Sequence, residues 1–219
     1  MKNVLLFLAT LLLLQGLCAC IKIEVINPQN PSEEEQNQPV VPVENPDNND
    51  YATIIDLWQI SMRQEFLYPF KVYVLRLNTG RWFYLRRLNF DGELRIGDEI
   101  AGRVYQNIPH EIAVIDAVKP HGGKPAKQNA MRPAAGSYLV ASNPIEADVK
   151  NMFRLSMRYT LSFSPIPTVL IETTDGNLIY VKESKLPETN SEDLSIGDHF
   201  VYNVYTIYPN EVVAIKKLR

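Results

Sequence analysis

The sequence predicts an all-β protein made of two tandem, duplicated modules, each a small barrel or sandwich of about five strands, SH3-like or OB-like. Three observations lead there: an internal repeat, apolar residues that alternate with period two, and glycine-containing pairs at hairpin positions. Ser61-Met62-Arg63 recurs as Ser156-Met157-Arg158, and Asn78-Thr79-Gly80 is matched by Thr174-Asp175-Gly176. Ile96-Gly97-Asp98 recurs as Ile196-Gly197-Asp198, and Pro109-His110-Glu111-Ile112 returns as Pro209-Asn210-Glu211-Val212. The offsets are 95, 96, 100 and 100, so the pairs are collinear. The added residues fall around Pro187-Glu188-Thr189-Asn190.

The elements follow in order. Trp58, Ile60 and Met62 open the first module with an alternating run, and Phe153, Leu155, Met157, Tyr159, Leu161 and Phe163 open the second. A helix would scatter such a set around its circumference, whereas a strand places it on one face. A hairpin comes next, Lys71–Leu77 and Arg81–Arg87 about Asn78-Thr79-Gly80, mirrored by Thr168–Glu172 and Leu178–Lys182 about Asp175-Gly176. Asn or Asp before Gly tolerates the positive φ of tight turns. Each module closes with two strands, Glu99–Tyr105 with Glu111–Val118, and His199–Tyr205 with Glu211–Leu218. The Ile-Gly-Asp element marks the corner before them, with Asp98 and Asp198 placed to satisfy turn amides. The modules are thus expected at 53–118 and 138–219, joined at 119–137 by a solvated basic loop rich in Gly and Pro.

The N-terminus has its own grammar. Lys2 precedes an apolar run, Val4–Leu14, of 11 residues, with a polar break at Gln15-Gly16. That is a signal-peptide order, and the run is too short for a helix spanning ~30 Å of hydrocarbon. Leu17-Cys18-Ala19-Cys20 follows and resembles the lipobox of bacterial lipoproteins, with Leu17 at −3, Ala19 at −1 and Cys20 as the invariant cysteine. Cys18 at −2 departs mildly from the usual small residue. The resemblance implies cleavage after Ala19 and acylation of Cys20, hence a partner in the lipid bilayer. Two or more acyl chains hold a protein stably where one does not. Ile21 stands where an Asp would signal inner-membrane retention in that family, which points to the outer membrane. Residues 20–52, Pro-rich, without glycine and with net charge −6, read as an extended acidic tether.

Chemistry is sparse in the remainder. With 22 Lys+Arg against 25 Asp+Glu, charge makes no case for nucleic acid. His110, His121 and His199 stand apart from one another and from cysteine, so neither a metal site nor a cofactor is expected. No nucleophile elbow or phosphate-cradling loop occurs, and no catalytic residue is assigned. Arg63 and Arg158 fall on the polar face of equivalent strands, where they either form a repeated ligand surface or pair with nearby acids. Trp82 and Tyr84 either stack sugars or pack in a core. These four residues are the candidate binding surface. The function expected is non-enzymatic: tandem β modules presented for binding or scaffolding, with an envelope protein or a glycan as partner. The alternatives are a hydrolase acting on cell-wall or glycan material in a cleft between the modules that gathers carboxylates such as Glu172 or Asp175, and a structural subunit of an envelope assembly.

Overall fold

Both alternating runs begin within long strands. The computed structural model describes residues 40–43, 51–63, 70–131, 140–159, 164–186 and 193–218. The lipobox, most of the expected tether, Leu161, Phe163 and the segment 187–190 lie outside them. The described residues contain β1 (Val40–Pro42), β2 (Ala52–Met62), β3 (Phe70–Leu77), β4 (Trp82–Arg86), β5 (Glu99–Tyr105) and β6 (Ile108–Lys119). They continue with β7 (Ile145–Met157), β8 (Ile166–Thr173), β9 (Leu178–Lys182), β10 (His199–Tyr205) and β11 (Tyr208–Lys217).

The two copies share one connectivity. In the first, β2, β3 and β4 form an antiparallel meander, β5 pairs with β6 and with the start of β2, and β4 meets β6 in parallel at Tyr84 opposite Glu111. In the second, β7, β8 and β9 form the meander and the ring closes as β10-β11-β9-β8-β7, with Glu211 opposite Tyr180 at the parallel contact. A meander closed by a parallel pairing of third and fifth strands is OB-type connectivity, which decides between the expected barrel types. Short 3-10 turns, Arg87–Asn89 and Glu183–Lys185, sit at equivalent places between third and fourth barrel strands.

Local geometry repeats as closely. Hairpin glycines Gly80 and Gly176 have φ of 81° and 82°, and corner glycines Gly97 and Gly197 have 98° and 91°. Only glycine takes such angles without strain. The corner aspartates behave as expected: Asp98 accepts from the Arg95 amide at 2.8 Å and Asp198 from the Ser195 amide at 2.7 Å. β2 and β7 carry matching bulges, where Asp56 and Asn151 each accept from the amide that follows.

Those bulges reassign faces along β2 and β7, and β3, β8 and β9 read as nearly continuous apolar runs because both of their faces are buried. Leu57, Tyr73, Leu75, Phe83 and Leu85 fill the first barrel, while Val169, Ile171, Ile179 and Val181 fill the second. The alternate residues point the other way, into a third core contributed by both copies. Trp58, Ile60, Met62, Val72, Val74 and Tyr84 pack there with Leu155, Met157, Tyr159, Leu170, Leu178 and Tyr180. Strands buried on both faces lose their polar alternation. β7 ends at Met157 rather than continuing towards Phe163, and Tyr159 beyond it still reaches the shared core.

Two expectations about the connecting segments are corrected. Within the expected tether, Val40–Pro42 form β1, paired antiparallel with Tyr105–Arg103 of β5. Residues 140–142 repeat this against the second barrel, with Ala141 opposite Tyr205. The duplication therefore begins a strand earlier than its sequence matches indicated. The basic loop is likewise no solvated linker over its described part. It is a strap: Pro125 bridges to Arg95, and Lys127 runs alongside β2, accepting from the Gln59 amide at 2.8 Å and donating to the Leu57 carbonyl at 2.9 Å. Asn129 then carries it to the second copy, accepting from the Leu178 amide at 2.8 Å. Backbone hydrogen-bonding groups left open on β2 outweigh solvation of the strap.

Gly123 lets the strap approach so closely, because a Cβ there would lie 1.7 Å from the Ile96 carbonyl oxygen. Gly122 faces open space at φ 68°. Gly123→Ala is expected to cost about 1–3 kcal/mol through overpacking and to speed hydrogen exchange at the Lys127 amide. Gly122→Ala should cost ~1 kcal/mol from backbone strain alone, leaving that amide protected. Urea denaturation and amide exchange check both.

Candidate functional site

The repeated motifs meet across the boundary between copies. Arg63 follows the end of β2 and Arg158 follows the end of β7, so each leaves its own barrel and enters the other. Arg63 donates to both Glu211 oxygens, at 2.7 and 3.1 Å. Arg158 donates likewise to both Glu111 oxygens, its Nε at 2.6 Å. Around each bidentate pair the same contacts recur. The Arg63 amide donates to the Tyr180 hydroxyl and the Arg158 amide to the Tyr84 hydroxyl, at 3.4 and 3.1 Å. Those hydroxyls donate onward to Glu211 and Glu111. The Ser61 amide donates to Asn210 Oδ1 at 3.0 Å, and the Ser156 amide to His110 Nδ1 at 3.1 Å. Each guanidinium also lies over a tyrosine ring of the opposite copy, Arg63 over Tyr205 at 5.2 Å and Arg158 over Tyr105 at 4.8 Å. Residue i of one copy meets j of the other and j meets i, the isologous pattern of a two-fold dimer interface, here within one chain.

The halves differ in depth. Glu111 and Arg158 are fully buried, and Arg86 adds a third charge, its Nε 2.8 Å from Glu111. At the place of Arg86 the second copy has Lys182, which lies over the Tyr159 ring. Arg63 keeps about a third of its side chain in water, 34%. Burial alone would raise the Glu111 carboxyl, but the Arg158 hydrogen bond and the charges of Arg86 and Arg158 hold it below its usual range. Burial, then the adjacent carboxylate, pushes the Tyr84 and Tyr180 phenols well above theirs.

The expected binding surface is therefore corrected. Tyr84 and Arg158 are buried in the seam. Trp82 is half-buried and stacks on Phe153, ring centroids 3.8 Å apart and 4° from parallel. Of the four, Arg63 and Trp82 retain partial exposure. The arginines stand just beyond the ends of their strands and cross into the other copy, so they do pair with acids, but with buried ones of the opposite copy. The carboxylates proposed for a hydrolytic cleft are engaged elsewhere: Glu172 lies 2.8 Å from Lys150 and 3.8 Å from Lys127, while Asp175 sits in its turn, bonded to Thr173 and Asn177. Lys127 also contacts Asp56 at 2.8 Å, and Lys119 lies over the Tyr51 ring at 3.4 Å.

The sequence also left unseen a recess of about 270 Å³ where the strap crosses the first barrel, with Gln59, Arg87, Glu93 and Gln128 around it. It exists only once the strap has docked, and no local motif marks it. No protein-family model matches the chain, and neither curated proteins nor solved structures provide a match.

Two predictions follow from the seam's asymmetry. Arg158→Ala leaves the Glu111 carboxylate buried and short of one cation, and should cost about 3–5 kcal/mol. Arg63→Ala, at the more exposed pair, should cost ~1 kcal/mol or less; chemical denaturation checks both. His110 must stay neutral to accept the Ser156 amide, and burial followed by the Arg81 charge lowers its pKa below 6.5. The unfolded chain then takes up this proton at higher pH than the folded one. The resulting stability is present above the ordinary histidine range and is lost as pH falls through it. His110→Asn, which copies Asn210, should keep the acceptor and flatten that loss, measured as melting temperature between about pH 7.5 and 5.

Proposed function

We propose that the chain is a non-enzymatic envelope lipoprotein that presents a rigid pair of β barrels for binding or scaffolding. The reciprocal seam carries this reading. It commits the broad outer faces of both meanders, two bidentate ion pairs and a shared apolar core to holding the barrels in one arrangement. A body whose largest faces fix its own geometry suits a component that holds other surfaces at set spacing. Carboxylates of the kind hydrolysis would use, Glu111, Glu172 and Glu211, are each held by cations. Leu17-Cys18-Ala19-Cys20 supplies the location: acylation of Cys20, cleavage after Ala19 and attachment to the outer membrane, with the Pro-rich segment as spacer. β1 clamps the end of that spacer onto the first barrel. Partners are the bilayer, through the acyl groups, and an envelope protein or glycan.

Intact-mass analysis of the membrane-extracted protein should give an N-terminus at acylated Cys20, and Cys20→Ser should release the chain from the membrane fraction. A retained Met1 or an unmodified Cys20 overturns the anchoring. Incubation with peptidoglycan and envelope polysaccharide should release no new reducing ends, and their release would overturn the non-enzymatic reading.

A further inference from the structure

The duplication supplies an internal control for every surface position, and the copies diverge most tellingly at the recess beneath the strap. In the first copy Gln59 of β2 stands opposite Tyr73 of β3, and Arg87 opens the 3-10 turn after β4. The matching positions in the second copy are Arg154 of β7, opposite Val169, and Glu183. There they join in an ion pair, Arg154 Nε to Glu183 Oε1 at 2.8 Å. One barrel thus bridges this site with its own side chains. The other leaves it open and walls it with the strap, whose backbone is fixed on both flanks by the bridges at Pro125 and Lys127.

We propose that the recess binds a neutral, hydroxyl-rich small molecule: a monosaccharide, or the terminal unit of a glycan. At about 270 Å³ it falls below the roughly 300–1,000 Å³ of drug-sized pockets and takes a single ring. Gln59 and Gln128 each offer a carboxamide that donates and accepts, matching hydroxyls that do the same. Arg87 adds donors and Glu93 adds acceptors, one cation and one anion among the lining residues. Arg95 lies beside Glu93, both carboxylate oxygens 3.4 Å from its Nη2, so the phosphate control reads whether the rim draws anions. Ala126, partly buried against the barrel core, gives the recess a small apolar contact, while Leu94 is fully buried in that core. The strap's backbone bonds hold this wall in place before any ligand arrives, which lowers the ordering cost of binding. The inference deepens the glycan-binding part of the proposed function and is independent of the anchor, since acylation of Cys20 is read by mass and sugar binding by contact.

The test is saturation-transfer NMR on the full chain in a non-glycosidic detergent. The probes are D-glucose, N-acetyl-D-glucosamine and its trisaccharide, with inorganic phosphate and glycine as charged controls. Saturable transfer to the sugars is expected, without transfer to phosphate or glycine. Transfer confined to the terminal residue of the trisaccharide identifies a glycan end as the ligand, and transfer to the monosaccharides alone identifies a free sugar. Arg87→Ala should weaken binding roughly tenfold, the scale of losing a charged hydrogen-bond donor. The double change Gln59→Arg with Arg87→Glu rebuilds the second copy's ion pair and should abolish binding while melting temperature stays the same. In the second copy, Glu183→Ala should leave binding unaltered. Absence of transfer to every sugar, preferential binding of phosphate or glycine, or full binding by both recess variants overturns the proposal.

Discussion

The buried Glu111 carboxylate is the constraint on which the rest of the molecule depends. It lies with Arg158 of the opposite copy and Arg86 of its own on its oxygens, and the Tyr84 hydroxyl donates to it. A carboxylate taken this far from water is tolerable only when such partners are held in place. Holding them requires β4 and β6 side by side, which is the parallel contact that closes the first barrel, and β7 of the second barrel pressed against both. Barrel closure and docking of the copies are therefore one event at this residue. The equivalent Glu211 repeats the arrangement with one guanidinium fewer and more water.

The shared core gives the same strands two duties. Alternate residues of β3 and β8 fill their own barrel and the layer between barrels, so neither face is left for a ligand. In an OB-type barrel that outer face is a place where oligonucleotides and oligosaccharides bind. Here each copy covers it for the other. The recess lies at a rim instead, where the strap adds a wall of its own.

Much of this was legible in one dimension. Period-two alternation located the strands, and β5 and β10 fall on the expected bounds, Glu99–Tyr105 and His199–Tyr205. The Asn-Thr-Gly and Ile-Gly-Asp elements located turns and corners because positive φ restricts those places to glycine. The seam was not legible, since Arg63 and Glu211 are 148 residues apart and nothing local pairs them. A signal did exist. The Arg and the Glu both recur in the repeat, each beside apolar residues that also recur, and charges kept in both copies next to a core face invite pairing across copies. β1 and the strap escaped detection for a different reason: Val40-Val41-Pro42 and Lys124-Pro125-Ala126-Lys127 gain their order from backbone groups of the barrel they meet. Their own side chains show no period.

The three-residue ladder of β1 on β5 has a mechanical meaning. β1 lies outside the ring that β5 closes through its own pairings with β2 and β6, so a pull applied at Val40 loads β1 first. Tension therefore spends itself first on a short strand that can peel away and re-zip while the ring stays shut. The seam, set between the barrels and buttressed by paired charges, lies off that load path. β1 is a sacrificial link: a pull on Val40 opens its three-residue ladder before it deforms the ring.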